Sequence, residues 1–112
     1  MFGFQRLDVY QAAVDFLARA NPLSDKVPRG YSALADQLRR AGLSIPLNIA
    51  EGSGKPTERD ARRFYAIARG SALECAAILD ALEAVGCAPS ADVGEARAVL
   101  ERVVSMLTKL TR

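Results

Sequence analysis

The segment SIPLNIAEGSGKPTERDARRF, residues 44–64, connects two helical patterns through a glycine-containing turn. Before the turn, Ile45 continues an apolar repeat at steps of three and four residues, the spacing of one face of a helix. After the turn, Thr57 and Asp60 form the pattern of a capped helix start. The segment therefore predicts a helix, a tight turn and a second helix, which together form the corner of a helical hairpin.

Three residues of this segment are unusual in a helix. Pro46 cannot donate to the carbonyl of Gly42, so a kink is expected there. Asn48 falls on the apolar face, where a buried amide either fixes the register of the helices or binds a ligand; the structural role is favoured. Glu51 opposes the helix dipole unless its carboxylate faces the free amides of the next helix. Gly52 is expected to end the helix in a left-handed conformation.

The same apolar spacing predicts four helices along the chain, at about residues 6–21, 31–51, 58–85 and 91–111. Pro22 and Gly86 are expected to end the first and third helices, and Ser90 to cap the fourth. The core-facing positions share this repeat: Leu7, Tyr10, Val14 and Leu17; Leu34, Leu38, Ala41 and Ile45; Phe64, Ala68, Ser71, Cys75, Ile78, Leu82 and Val85; and Val93, Ala96, Leu100, Val103, Leu107 and Leu110. No strand pattern occurs. The sequence predicts an all-α protein, a single antiparallel up-down-up-down four-helix bundle over residues 1–112.

Composition argues against catalysis. The 112 residues include no histidine, which removes the commonest general base and the commonest metal ligand. Cys75 and Cys87 would lie about 18 Å apart on one helix, too far for a disulfide, so they are expected to be thiols. The GSGKPT segment follows a helix and lacks the glycine spacing of a phosphate-binding loop. We expect no enzyme activity, no catalytic residues, no metal and no cofactor.

Apolar runs are short. None approaches the roughly 18 residues needed to span a bilayer, and the segment MFGFQRLDVY lacks the features of a signal peptide. The expected location is the cytoplasm, without membrane contact.

Two helices carry apolar residues away from their core-facing positions. These residues are Val9, Ala13, Phe16 and Ala20 in the first helix and Leu73, Ala77 and Ala84 in the third. A monomeric bundle needs one apolar stripe per helix, so the surplus predicts a homo-oligomer. Val9, Phe16 and Leu73 are the predicted subunit contacts.

Positive charge is concentrated in the middle of the chain, where residues 39–70 carry seven basic and three acidic side chains. The candidate nucleic-acid contacts are Lys55, Arg59, Arg62, Arg63 and Arg69, because cationic side chains bind phosphates. Exposed arginines also occur on helices that bind no nucleic acid. Two functions therefore remain open: an oligomeric accessory protein that binds RNA or DNA, and a structural or protein-interaction oligomer without a nucleic-acid role.

The motif QLRRAGLSIPLNIAEGSG, residues 37–54, followed by RRFYAIARGSALE, residues 62–74, resembles the family of small four-helix proteins encoded in intervening sequences of bacterial 23S rRNA genes. The matching positions are Gln37, Arg40, Ala41, Ser44, Ile45, Asn48, Ile49, Ala50, Glu51, Gly52, Gly70, Ser71 and Glu74, and Pro46 is also familiar in that family. The resemblance covers nearly the whole chain.

This resemblance implies a four-helix bundle that assembles as a homopentamer. A related branch serves as the accessory protein of diversity-generating retroelements, where it binds nucleic acid and a reverse transcriptase. The partners implied for this chain are therefore itself, RNA or DNA, and a protein partner.

Overall fold

The computed structural model describes residues 1–112 and contains four α-helices and no strand. Helix α1 spans Asp8–Asp25, α2 spans Ser32–Ser53, α3 spans Glu58–Ala84 and α4 spans Ser90–Leu110. Short 3₁₀ helices, Gly3–Arg6 and Arg29–Tyr31, precede α1 and α2. The predicted all-α four-helix bundle is confirmed.

The helices stand at the four corners of a bundle that is 44 Å long. Each helix packs on two neighbours: α1 and α3 both contact α2 and α4, whereas the backbones of the diagonal pairs α1–α3 and α2–α4 are farther apart. The most extensive contact joins α2 and α3. Because successive helices run antiparallel, α1 begins, α2 ends, α3 begins and α4 ends at one end of the bundle. We call this the turn end, since it holds residues 54–57.

The core draws on all four helices. In α2, α3 and α4 most of the predicted core-facing positions are buried; Leu38, Ile45, Leu82 and Leu100 are examples, each at most 1% exposed. Val85 and Leu110 at the helix ends are exposed instead.

Helix α1 presents to the core a face about a third of a turn away from the predicted one, and Leu7, Tyr10 and Leu17 are half-buried. Val9, Ala13, Phe16 and Ala20 are buried in the core, whereas Val14, a predicted core residue, is 41% exposed. The prediction that Val9 and Phe16 are subunit contacts is therefore wrong. The physical reason is that both faces of α1 are apolar, and the packing against α2 and α4 selects the face that contains the large Phe16 ring.

The predicted end of α1 at Pro22 is also wrong, because the helix continues to Asp25. Proline fixes φ near the helical value, so α1 can continue through it, although the Ala18 carbonyl loses its hydrogen bond and must accommodate the proline ring. Both residues are exposed, and water can replace that bond. The buried Ser24 adds a hydrogen bond from its hydroxyl to the carbonyl of Ala20, 3.2 Å away.

Of the four other predicted helix ends, those at Thr57 and Gly86 agree with the structure. The Oγ1 atom of Thr57 accepts a hydrogen bond from the Asp60 amide at 3.2 Å, which confirms Thr57 as the cap of α3. Gly86 has a φ of 71° and follows the end of α3, as predicted. Ser90 is the first residue of α4 rather than its cap, and Pro89 occupies the cap position.

None of the helices combines the length and apolar character that crossing a bilayer requires.

Candidate functional site

The motif residues of segments 37–54 and 62–74 pair across the contact between α2 and α3. Near the end of the bundle opposite the turn, the Gln37 amide donates to the Glu74 carboxylate. In the middle, the Oγ atoms of Ser44 and Ser71 lie 2.9 Å apart. At the turn end, Gly52 is buried against α3. The motif therefore joins the two neighbouring helices at three heights along the bundle, which we call the three steps of the contact.

Asn48 supports the middle step from within α2. Its Nδ2 atom donates to the Ser44 carbonyl at 2.8 Å and to the Ser44 Oγ at 3.0 Å. The Asn48 side chain is half-buried and makes no hydrogen bond to another helix. The expectation that Asn48 itself fixes the register is therefore wrong: Ser44 makes the contact with α3, and Asn48 orients Ser44.

Gly52 marks a close approach of α2 and α3. A Cβ atom at this position would lie 2.9 Å from the Cε1 atom of Tyr65, 3.1 Å from the Ala61 carbonyl and 3.1 Å from the Cβ of Phe64. The predicted left-handed conformation is wrong, because α2 continues through Gly52 to Ser53. Gly52 is needed here for close packing rather than for a positive φ.

The remaining motif residues of α2 differ in exposure. Pro46 is buried inside an uninterrupted α2. Glu51 is exposed, and its carboxylate lies 3.8 Å from the Lys55 Nζ. The predicted contact of Glu51 with the amides of α3 is not formed, because Thr57 caps that helix. Arg40 is exposed and has no carboxylate within 4 Å.

Cationic side chains gather at the turn end. We call this set the basic end: Lys55, Arg59, Arg62, Arg63, Lys109 and Arg112. Lys55 pairs with Glu51, and Arg62 lies 3.7 Å from the Glu58 carboxylate. Arg59 and Arg63 are exposed, and neither makes a salt bridge. The two arginines, with Arg62, line an open hollow of about 610 Å³ that is also lined by Thr57, Asp60 and Thr111.

Two members of the basic end come from α4 and the residues after it, and neither was among the predicted contacts. Lys109 and Arg112 line a second hollow together with Glu58, Arg62 and Tyr65. The predicted antiparallel topology could have indicated these two residues, since it places the end of the fourth helix beside the start of the third. A count of charge along the chain hides this proximity, because residues 109–112 are far in sequence from residues 55–63.

Arg69 does not belong to this set. Its Nε atom donates to the Oγ1 of Thr108 at 2.9 Å, and its side chain is half-buried between α3 and α4. Thr108 in turn donates to the Val104 carbonyl at 2.7 Å. The structure therefore contradicts the grouping of Arg69 with the exposed arginines, because Arg69 faces α4.

Most cations near the opposite end of the bundle are paired, and Arg29 is an exception. Arg39 lies 2.9 Å from Asp25, Arg97 lies 2.9 Å from Asp80, and Arg19 and Lys26 also have carboxylates within 4 Å. The hydrogen bond to Asp80 raises the pKa of Arg97. Uncompensated positive charge is therefore stronger at the basic end.

The Phe64 ring is in contact with two cations of the basic end. The Lys55 Nζ is 4.8 Å and the Arg63 Cζ is 5.5 Å from the centre of the Phe64 ring. The sequence predicted Phe64 as a core-facing position and no aromatic residue among the candidate nucleic-acid contacts. Cation–π contacts of this kind hold cationic groups in position near a surface.

The two thiols lie away from the basic end and differ in environment. Cys75 is fully buried in the core, and burial raises its pKa to about 12, with Glu74 adding to the shift. Cys87 is half-buried after α3. No group of three or more histidine, cysteine or acidic side chains is placed to hold a metal ion.

Comparisons with known proteins match nearly the whole chain to one family and to one solved fold. The family model described as "23S rRNA-intervening sequence protein" matches residues 5–109. A solved structure of a protein of unknown function from the S23 ribosomal protein family of Bacteroides thetaiotaomicron superposes with a TM-score of 0.85 at 19% sequence identity. The superposition covers 93% of this chain and 98% of that chain, and it supports the fold. No curated protein matches the sequence.

Proposed function

The chain belongs to the 23S rRNA-intervening sequence protein family, and from this premise we propose that it is a non-catalytic, self-assembling bundle whose basic end binds the phosphate backbone of RNA or DNA. One observation carries the proposal: Arg59 and Arg63 have no carboxylate partner and lie at the same end as Lys109 and Arg112. Cations that are not already neutralised bind phosphates and release counterions when they do so.

The form of the basic end indicates what it would recognise. Arginine side chains present a planar fork of donors that suits phosphate oxygens. The cations lie at the end of the bundle rather than along one exposed helix that could enter a groove and read base edges. We therefore expect contacts to the backbone and little preference for sequence.

Assembly would strengthen such binding. The homopentamer implied by the family resemblance would present five basic ends on one particle. Weak phosphate contacts made by linked copies add up through a high effective concentration, so the oligomer would bind a long strand more tightly than a single bundle would.

The test is fluorescence anisotropy with labelled RNA and DNA over a salt series. The affinity of the wild type should fall steeply as salt rises. The double variant Arg59→Gln with Arg63→Gln should bind more weakly and show a flatter salt dependence, by about 0.7–0.9 in slope for each phosphate that is no longer neutralised. The matched control is Arg19→Gln with Lys26→Gln, which removes the same charge from the paired end and should change binding little.

A second function is favoured by a different observation. Leu43, Leu47 and Leu73 are 45–58% exposed, and exposed apolar residues of this size favour contacts with protein. If an assembled wild-type protein binds neither RNA nor DNA at low salt, the nucleic-acid proposal fails, and a structural or protein-interaction oligomer is the function that stands. An equal weakening of binding in the control variant would also contradict the assignment to the basic end.

A further inference from the structure

A groove runs along the outside of the bundle between α3 and α4. It has a volume of about 450 Å³, and it is lined by Leu73, Ala76, Leu100 and Val104, with Asp80, Arg97, Glu101 and Ser105 at its edges. Leu73 is 45% exposed, although its side chain is apolar. The groove therefore offers an apolar floor with polar edges.

A ridge of matching character lies on the outer face of α2. Arg40, Leu43 and Leu47 occur at steps of three and four residues, which places them on one stripe of the helix. Leu43 is 48% and Leu47 is 58% exposed, so this stripe faces away from the core. An amphipathic helix that projects such residues is the kind of element that docks into a groove between two helices.

We infer that the α2 ridge of one copy of this chain docks into the α3–α4 groove of the next copy. The inference rests on the proposed self-assembly and names the two surfaces that carry it. Leu43 and Leu47 would cover the apolar floor of the groove, including Leu73, and so remove from water the large apolar side chains that both surfaces leave exposed.

Charge complementarity selects a second copy as the occupant. Arg40 has no carboxylate within 4 Å, and Glu101 has no cation within 4 Å, whereas both lie beside the apolar residues of their own surface. Arg97, the other cation of the groove, is already held by Asp80 at 2.9 Å and by Glu83 at 3.3 Å. An incoming Arg40 would therefore meet an unpaired carboxylate rather than a free positive charge.

The two charges also lie at similar heights along the bundle. The Ser44–Ser71 contact places Arg40, one turn earlier in α2, near the height of Cys75. The Asp80–Arg97 contact places Glu101, one turn later in α4, near the height of Ala76. The two heights agree to within about one helical turn, roughly 5 Å. Copies with parallel bundle axes can therefore bring Arg40 and Glu101 together.

The arrangement of the helices decides the symmetry of this contact. Helix α2 stands diagonally opposite α4, so the ridge and the groove face in different directions. A contact between two different surfaces is heterologous and repeats from copy to copy, which gives a closed ring or an open chain rather than a twofold dimer.

The experiment is charge reversal followed by sedimentation velocity over a concentration series. Arg40→Glu and Glu101→Arg should each raise the concentration at which the assembly dissociates by at least about tenfold, because each sets like charges against one another. The double variant should return that concentration close to the wild-type value, since the pair is restored with its charges exchanged. Arg29→Glu, which reverses another exposed and unpaired arginine, is the matched control and should leave the assembly unchanged.

The outcomes separate this inference from the proposed function. A wild-type protein that sediments as a monomer at micromolar concentration contradicts self-assembly itself. An assembly that neither single variant weakens, or that the double variant fails to restore, overturns the ridge and groove while self-assembly stands. Nucleic-acid binding depends on different residues and is measured separately by anisotropy.

Discussion

The Oγ atoms of Ser44 in α2 and Ser71 in α3 lie 2.9 Å apart, at the middle of the contact that joins these helices. The steps on either side are Gln37 with Glu74 and Gly52 with the start of α3. The residues that carry the family resemblance are thus largely the residues that hold α2 against α3. The motif is therefore a signature of the packing between α2 and α3.

Because α2 and α3 approach closely at Gly52, any side chain at this position should lower the free energy of unfolding. Gly52→Ala places a Cβ 2.9 Å from Tyr65 and 3.1 Å from the Ala61 carbonyl, so α2 and α3 must move apart. We expect a decrease of about 1–3 kcal/mol in the free energy of unfolding, measured by urea denaturation.

Gly70 provides the control for this prediction. It lies inside α3, and a Cβ there would meet nothing within 4 Å. Gly70→Ala should therefore stabilise the protein by about 0.4–1 kcal/mol, through the entropy of the unfolded chain. If Gly52→Ala is stabilising as well, the close approach described for Gly52 is incorrect.

Asn48 and Glu51 should differ in their effect on stability. Asn48→Ala removes two hydrogen bonds to Ser44 from a half-buried site and should cost about 1 kcal/mol. Glu51→Ala removes only an exposed pair with Lys55 at 3.8 Å and should change stability by less than about 0.5 kcal/mol. Thermal unfolding of both variants measures this difference. An Asn48 variant that kept its stability but failed to bind nucleic acid would indicate a ligand site instead.

Phe16 should act through folding rather than through assembly. Its ring is fully buried in the core, so Phe16→Ala should cost about 3–5 kcal/mol. Leu73→Glu alters a side chain that is 45% exposed and should leave the melting temperature of the single bundle nearly unchanged while weakening self-association. Circular dichroism and light scattering on both variants distinguish the two effects, and the reverse pattern would restore Phe16 as a subunit contact.

The buried Cys75 thiol should make the folded protein less stable in alkaline solution. Burial raises its pKa from 9.0 to about 12, so between these values the unfolded chain has released the thiol proton while the folded protein keeps it. The contribution is complete below pH 9 and declines as the pH rises toward 12, by up to about 1.4 kcal/mol per pH unit. Cys75→Ala should flatten this decline relative to the wild type.

A thiol reagent provides an independent check on this environment. At about pH 8 the half-buried Cys87 should react in the folded protein, whereas Cys75 should react only after unfolding. Equal reactivity of the two thiols, or an alkaline decline that Cys75→Ala leaves unchanged, would contradict the burial of Cys75.

The four helices could be predicted because apolar residues recur in each of them at steps of three and four residues. Helix α1 shows where that reasoning fails. The stripe that contains Tyr10 and Val14 and the stripe that contains Val9 and Phe16 are both apolar, and periodicity alone cannot rank them. Only the packing of α1 against its neighbours determines that Phe16 points inward.

The candidate site could be predicted in part. Arg59 is exposed at the start of α3, as periodicity indicates. The position of Arg69 could not be predicted in this way. It lies on the side of α3 that α4 covers, where the Thr108 hydroxyl accepts its hydrogen bond, and periodicity does not show which side of a helix a neighbour covers. Lys109 and Arg112 join the site only across the bundle, so a count of charge along the chain cannot find them.

The short connection between α2 and α3 has a consequence for the order of folding. Only residues 54–57 separate these helices, and closing so short a loop costs little chain entropy. We expect the α2–α3 hairpin to form in the folding transition state, with α1 and α4 docking afterwards. Ile49→Val in α2 should then mainly slow folding, whereas Val103→Ala in α4 should mainly speed unfolding. Stopped-flow measurements that showed the opposite effects on the folding and unfolding rates would place the folding nucleus outside the α2–α3 hairpin. The motif of residues 37–74 would then stabilise the bundle without directing how it forms.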